Sequence, residues 1–148
     1  MVLRWRIRLA RSGARAQSSI ERLFERHCEI AYCMGLIVGE GCFSGDASRP
    51  ALTVRLHASD LQPLLDLRSV FGGTIYGPYV YGIRHSRAWV LTSWQLAEAL
   101  PYFDRWLPPS RKRDQYVVWR ERYAPYFSRR LNSVSRLTSR NRAGPLAR

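Results

Sequence analysis

The stretch that most constrains this chain is Tyr32-Cys33-Met34-Gly35-Leu36-Ile37-Val38-Gly39-Glu40-Gly41-Cys42-Phe43. Gly35 and Gly39 lie four residues apart and share one face of a helix. Each costs a helix about 1 kcal/mol relative to alanine, and each leaves room for another helix's backbone. Gly41 supplies a helix stop. Glu40 falls at the negative end of the helix dipole, where an anion is disfavoured by about 0.3–1 kcal/mol. A carboxylate placed against that preference implies a cation beside it. The stretch therefore reads as the end of a buried, close-packing helix over residues 29–40 that delivers one carboxylate at its last turn. An ordinary core helix with a glycine-rich end is the competing reading.

The segments around it alternate between two periods. Ser18-Ser19-Ile20-Glu21 forms a capping box with Ser18 as N-cap. The helix it opens places Ile20, Leu23, Phe24 and Cys28 on one stripe, with a break expected near His27. From Cys42 the period becomes two. Residues 42–47 and 51–57 predict a hairpin turning at Arg49-Pro50, with Leu52, Val54 and Leu56 on one side and Thr53, Arg55 and His57 on the other. Ser59-Asp60 then caps a helix that buries Leu61, Leu64, Leu65, Leu67 and Phe71 and ends at Gly72-Gly73. A second hairpin follows over residues 74–83 and 86–93. A helix from Ser93 buries Leu96, Leu100 and Phe103 and is broken by Pro108-Pro109. A last helix from Ser110 carries Tyr116, Val117, Trp119 and Tyr123. The order is αββαββα with one further helix, an α+β fold.

The chain has 148 residues, enough for one domain with a proper core. It carries 24 Lys+Arg against 11 Asp+Glu, and Lys112 is its single lysine. Arginine's planar fork suits phosphates and guanine edges. The charge is concentrated at the ends. Residues 1–17 hold five arginines and residues 128–148 hold six, with no acid in either segment, so the middle is nearly neutral. This predicts a domain over 18–127 with disordered basic arms at 1–17 and 128–148, and a polyanion partner. The first segment also has the arginine-rich, acid-free make-up of an organellar transit peptide. Cys28, Cys33 and Cys42 are odd in number and lack a C-x-x-C spacing. They read as reduced thiols in an intracellular, reducing compartment, either cytoplasm or organelle matrix. No apolar run is long enough for a membrane span.

Gly35-Leu36-Ile37-Val38-Gly39-Glu40-Gly41 resembles the signature helix of LAGLIDADG homing endonucleases, in the variant ending Gly-Glu-Gly. Cys33-Met34 stand where that family usually has Leu-Ala, and Val38 where its first acidic residue usually lies. Later landmarks are similar too: Asp60 before a leucine-rich helix, Phe71-Gly72-Gly73, Pro101-Tyr102-Phe103-Asp104, and Lys112 with Gln115 and Trp119. The resemblance covers residues 29–122. It implies a four-stranded antiparallel saddle backed by helices, with the saddle on DNA.

The resemblance also implies the site. A single motif implies a homodimer, with Gly35, Leu36, Val38 and Gly39 at the interface and a near-palindromic target. Two Glu40 carboxylates would hold Mg²⁺ (or Mn²⁺), helped by the Gly39 carbonyl, and the metal would activate water against the scissile phosphates. Lys112 and Gln115 would assist catalysis. The strands would read double-stranded DNA through Arg49, Thr53, Arg55, His57, Tyr76, Tyr79, Tyr81, Arg84, Arg87 and Trp89, with the register deciding which of them reach it. The alternatives are a non-cleaving DNA-binding regulator on the same fold and a maturase that binds intron RNA.

Overall fold

The computed structural model describes residues 14–46 and 48–130, with side chains from residue 19 onward. Of the disordered basic arms expected at 1–17 and 128–148, residues 1–13 and 131–148 lie outside the described residues, whereas 14–17 and 128–130 are helical. The elements run α1 (Ala14–Glu40), β1 (Gly41–Gly45), β2 (Pro50–His57), α2 (Leu61–Phe71), β3 (Thr74–Tyr81), β4 (Arg84–Thr92), α3 (Ser93–Trp106) and α4 (Arg111–Arg122). A further helix, α5, occupies 124–130. The four strands form one antiparallel sheet in the order β1-β2-β4-β3. The αββαββα order is the one expected from the sequence.

Two local expectations fail in α1. The helix already runs at Ala14, so Ser18 lies inside it and is not its cap. There is also no break at His27. The His27 ring stacks edge-on against Trp106 with centroids 5.3 Å apart, and its Nδ1 lies 2.5 Å from the Leu23 carbonyl. No proline or glycine interrupts residues 14–34, so nothing stops the helix. Its inner face is Ile30, Cys33, Met34 and Ile37, all buried and at helical spacing. Burial pushes the Cys33 thiol up to about 12, with the Asp66 and Glu29 charges adding to the effect.

The sheet has two unlike faces. Leu52 and Val54 of β2 pair with Leu91 and Trp89 of β4, and all four are fully buried under the helices. Residues directly opposite on antiparallel strands share a face, which assigns the outer side, free of helices among the described residues. On β2 it holds Thr53, Arg55 and His57. On β4 it holds Arg84, Ser86, Ala88, Val90 and Thr92. In β3 the register slips between Tyr76, opposite Ala88, and Tyr79, opposite Ser86. That extra residue changes the parity of the strand. Tyr76, Tyr79 and Tyr81 thereby all stand on the outer face, which strict alternation would forbid.

An aromatic layer ties α3 and α4 to β1. Phe43 packs on Tyr116 and Trp119 with centroids 5.1 and 5.2 Å away, and Phe103 packs on Tyr116 at 6.0 Å. The Tyr116 hydroxyl donates to Asp104 at 2.5 Å, and burial raises its pKa. Ser110 caps α4 by accepting from the Arg113 N–H at 3.2 Å, as its sequence position predicts. Trp119 Nε1 donates to the Ser44 carbonyl at 2.7 Å, and the Tyr123 hydroxyl donates to the Asp46 carbonyl at 2.5 Å. Helix α4 and its C-cap Tyr123 therefore hold the β1–β2 turn in place.

Candidate nucleic-acid interface and metal-binding carboxylate

Helix α1 ends on Glu40 because Gly41 lets the chain turn at once into β1. A Cβ at residue 41 would run into the Ile37 carbonyl. Glu40 is exposed, and within the described residues it has no hydrogen-bond or ion-pair partner. Its neighbour Gly39 is exposed too, with its carbonyl in the last turn, where the helix leaves carbonyls without intrahelical donors. A cation at this end would satisfy both the charge and the dipole.

Lys112, 71 residues further on, reaches this same end. Its Nζ donates to the Gly41 carbonyl at 2.5 Å. One turn further along α4, Gln115 lines a cleft of about 370 Å³ with Val38, Ser110, Arg111 and Lys112. The fold thus gathers Val38, Lys112 and Gln115 around the exit of α1, one residue past Glu40. No cluster of three or more His, Cys, Asp or Glu occurs among the described residues. One exposed carboxylate per chain is too little for an all-protein metal cage. It suits an ion such as Mg²⁺, which binds through one or two carboxylates and takes the rest of its shell from water and substrate phosphates.

The outer face of the sheet is the second part of the site. Its residues include Arg55, Arg84, His57 and the three tyrosines, and none of its paired residues is acidic. Tyr76 and Tyr79 are about half exposed and Tyr81 almost fully so. The Arg55 guanidinium lies 5.4 Å over the Tyr79 ring, which holds the cation facing outward. His57 Nδ1 lies 2.8 Å from the Ser59 hydroxyl. Arg49 is exposed in the β1–β2 turn, where its backbone N–H donates to Asp46 at 2.8 Å.

Two residues expected to touch DNA do not face that way. Trp89 is fully buried on the helix side, and its Nε1 donates to the Gly72 carbonyl at 2.7 Å. Arg87 stands opposite Leu56 on the same covered side, with a buried Nε that lacks a hydrogen-bond acceptor. Both follow from register: the outer set on β4 has even numbers. The same register adds Cys42, Ser44, Thr74, Ser86 and Thr92, which sequence reasoning missed. Small polar side chains carry no signal of their own, and only the pairing with Thr53 and Arg55 reveals them. Of the expected interface residues, Gly35 and Gly39 are exposed, and a Cβ on either would meet nothing within 4 Å. Leu36 is half-buried against the core.

No protein-family model matches the chain, and no curated protein matches it. Solved structures do. The I-SmaMI LAGLIDADG homing endonuclease bound to cleaved DNA superposes with a TM-score of 0.55 at 21% identity, over 62% of this chain and 34% of that one. The homing endonuclease I-TnaI gives 0.53 at 20% identity, over 62% of this chain and 69% of that one. The LAGLIDADG meganuclease I-CpaMI bound to uncleaved DNA gives 0.52 at 20% identity, covering 62% and 34%. This chain spans about a third of I-SmaMI and of I-CpaMI. It has a LAGLIDADG-like fold. Among its described residues, no helix is long and apolar enough to cross a membrane.

Proposed function

We propose that this chain is a metal-dependent, site-specific double-strand DNA endonuclease of the LAGLIDADG type, working as a homodimer. One observation carries the proposal: Glu40 is an exposed carboxylate at the end of α1 without a partner among the described residues, and the only lysine of the chain is brought to the next residue's carbonyl. Structural needs do not explain such a pair. A stabilising carboxylate would sit at the other end of the helix. The DNA held by two neighbours of the same fold supports the choice of substrate.

Each residue then has a defined task. Arg55, Arg84 and Arg49 neutralise phosphates or reach base edges from the outer face. Tyr76, Tyr79 and Tyr81 supply flat, half-apolar contact along the groove. Gly35, Val38 and Gly39 let a second α1 approach, so that two Glu40 carboxylates meet on the dyad. With the Gly39 carbonyl they form the donor set for Mg²⁺, which when bound would lower the pKa of water and offset charge on the phosphate. Lys112 orients the chain at Gly41 and keeps a positive charge beside the phosphate. Gln115 lines the same cleft and can hold a water by hydrogen bonds.

The test is conversion of supercoiled DNA carrying a pool of insert sequences, in Mg²⁺, by wild type and by Glu40→Gln. The expected result is specific linearisation by wild type, with at least about a thousandfold loss in the variant and unchanged DNA binding. Equal cutting by both proteins would remove Glu40 from the site.

A further inference from the structure

The helix layer holds a basic and aromatic hollow of its own, apart from the outer face of the sheet. It lies between α1 and α3 and has a volume of about 360 Å³. Arg26, His27 and Ile30 of α1 form one wall, and Tyr102, Arg105 and Trp106 of α3 form the other. Ile30 is buried and closes the hollow toward the core. Arg26 and Arg105 are exposed, and Tyr102 and Trp106 are half-buried, so each ring keeps part of its surface uncovered.

Aromatic contacts hold the two walls together. His27 packs edge-on against Trp106 with centroids 5.3 Å apart, and its Nδ1 donates to the Leu23 carbonyl at 2.5 Å. The Arg105 guanidinium lies 5.8 Å from the centre of the Trp106 ring. Neither Arg26 nor Arg105 has an ion-pair partner among the described residues. The acids nearest them in sequence do not answer them. Glu25 and Glu29 do not line the hollow, and Asp104 takes the Tyr116 hydroxyl and Arg120. Two cations around one hollow with no acid in its lining favour an anion there.

The rings narrow the class of anion. A bare phosphate gains nothing from Tyr102 and Trp106, whereas a nucleotide uses both kinds of wall, its base on a ring and its phosphates on the guanidinium groups. The volume suits a ligand of that size. The base must be free of its own stack, which a single strand offers and a duplex does not. An arginine on each helix lets a strand enter over one wall and leave over the other. We infer that this hollow binds one nucleotide of a single-stranded nucleic acid, with the base against Tyr102 and Trp106 and the flanking phosphates on Arg26 and Arg105. The site lies among the helices, across the sheet from Arg55 and Arg84, so a duplex on the outer face leaves it open. It does not depend on the endonuclease reading, since strand binding is measurable whether or not the protein cuts.

The test takes the full chain saturated with duplex DNA and adds an oligothymidylate carrying 5-iodouracil. The expected result is a ternary complex whose photo-cross-link maps to Tyr102 or Trp106. Arg26→Gln and Arg105→Gln change exposed side chains, and circular dichroism checks that the fold is kept. Each should lower the slope of log K against log salt for the strand by about 0.7, with duplex binding unchanged. Thymidine monophosphate should compete only far above the oligomer's concentration. Competition at equal concentration would move the site to free nucleotides and overturn the strand assignment, and equal competition by inorganic phosphate would overturn the base contact. Cross-links confined to Tyr76, Tyr79 or Tyr81, or an unchanged salt slope in both variants, would overturn the site itself. Should the duplex fail to bind, the same cross-link is read without it, so the two readings fail separately.

Discussion

Trp89 and Glu40 mark two limits of what single residues disclose. An aromatic in a basic, alternating strand reads as easily as a base contact as a core residue. Trp89 is core because β4 pairs in even phase, and its indole N–H serves the Gly72 carbonyl at the end of α2. Trp89→Phe should keep most of the packing and leave that carbonyl without its donor. It is expected to destabilise the fold by about 1–3 kcal/mol, read from urea unfolding, with DNA affinity unchanged under conditions where the protein is folded. Weakened DNA binding at unchanged stability would return Trp89 to the interface. Glu40, by contrast, stands out in the sequence because its position works against the helix dipole, and the proposed function would account for it. Lys112 was visible as the sole lysine, but its contact with Gly41 was not, since nothing local links residues 71 apart.

At the scale of elements, period and punctuation carried most of the fold. The order of strands and helices, the Gly72-Gly73 stop and the Ser110 cap all follow from local chemistry. What failed was long-range. The N-terminal half of α1 is continuous with the signature stretch because no breaker intervenes, although its Ile20, Leu23 and Phe24 find no core among the described residues. The β3 slip between Tyr76 and Tyr79 depends on pairing with β4 and leaves no periodic signal. The β1–β2 turn offers a test at this level. Backbone N–H groups of Ser48 and Arg49, at 2.9 and 2.8 Å, hold the Asp46 carboxyl below its ordinary pKa, the Ser48 bond contributing most. A depressed value means that the ionised form supports the turn at neutral pH. That support is lost as pH falls through the depressed pKa, in the acid range below 3.8. Asp46→Ala should therefore speed amide exchange at Ser48 and Arg49 at neutral pH, and the difference from wild type should shrink toward the acid end. A difference independent of pH would show that the carboxylate charge plays no part.

For the whole molecule, the sheet separates two tasks. One face is closed by helices around Trp89, Phe103, Leu52 and Leu91 and makes the domain stable. The other carries arginines and tyrosines without acids and is free to meet a polyanion. Helix α1 ends in Glu40, the exposed carboxylate that the proposed function assigns to metal and DNA together. The charge asymmetry was readable from composition, whereas the division of residues between faces required the register. If this arrangement acts as argued, protein and DNA share a dyad. The most direct measurement is to sequence the ends released from a randomised duplex library in Mg²⁺, with Glu40→Gln beside wild type. Near-palindromic sites, cut on both strands at positions symmetric about their centre, are expected from wild type alone. Cuts at asymmetric sites, or the same cuts by Glu40→Gln, would contradict this arrangement.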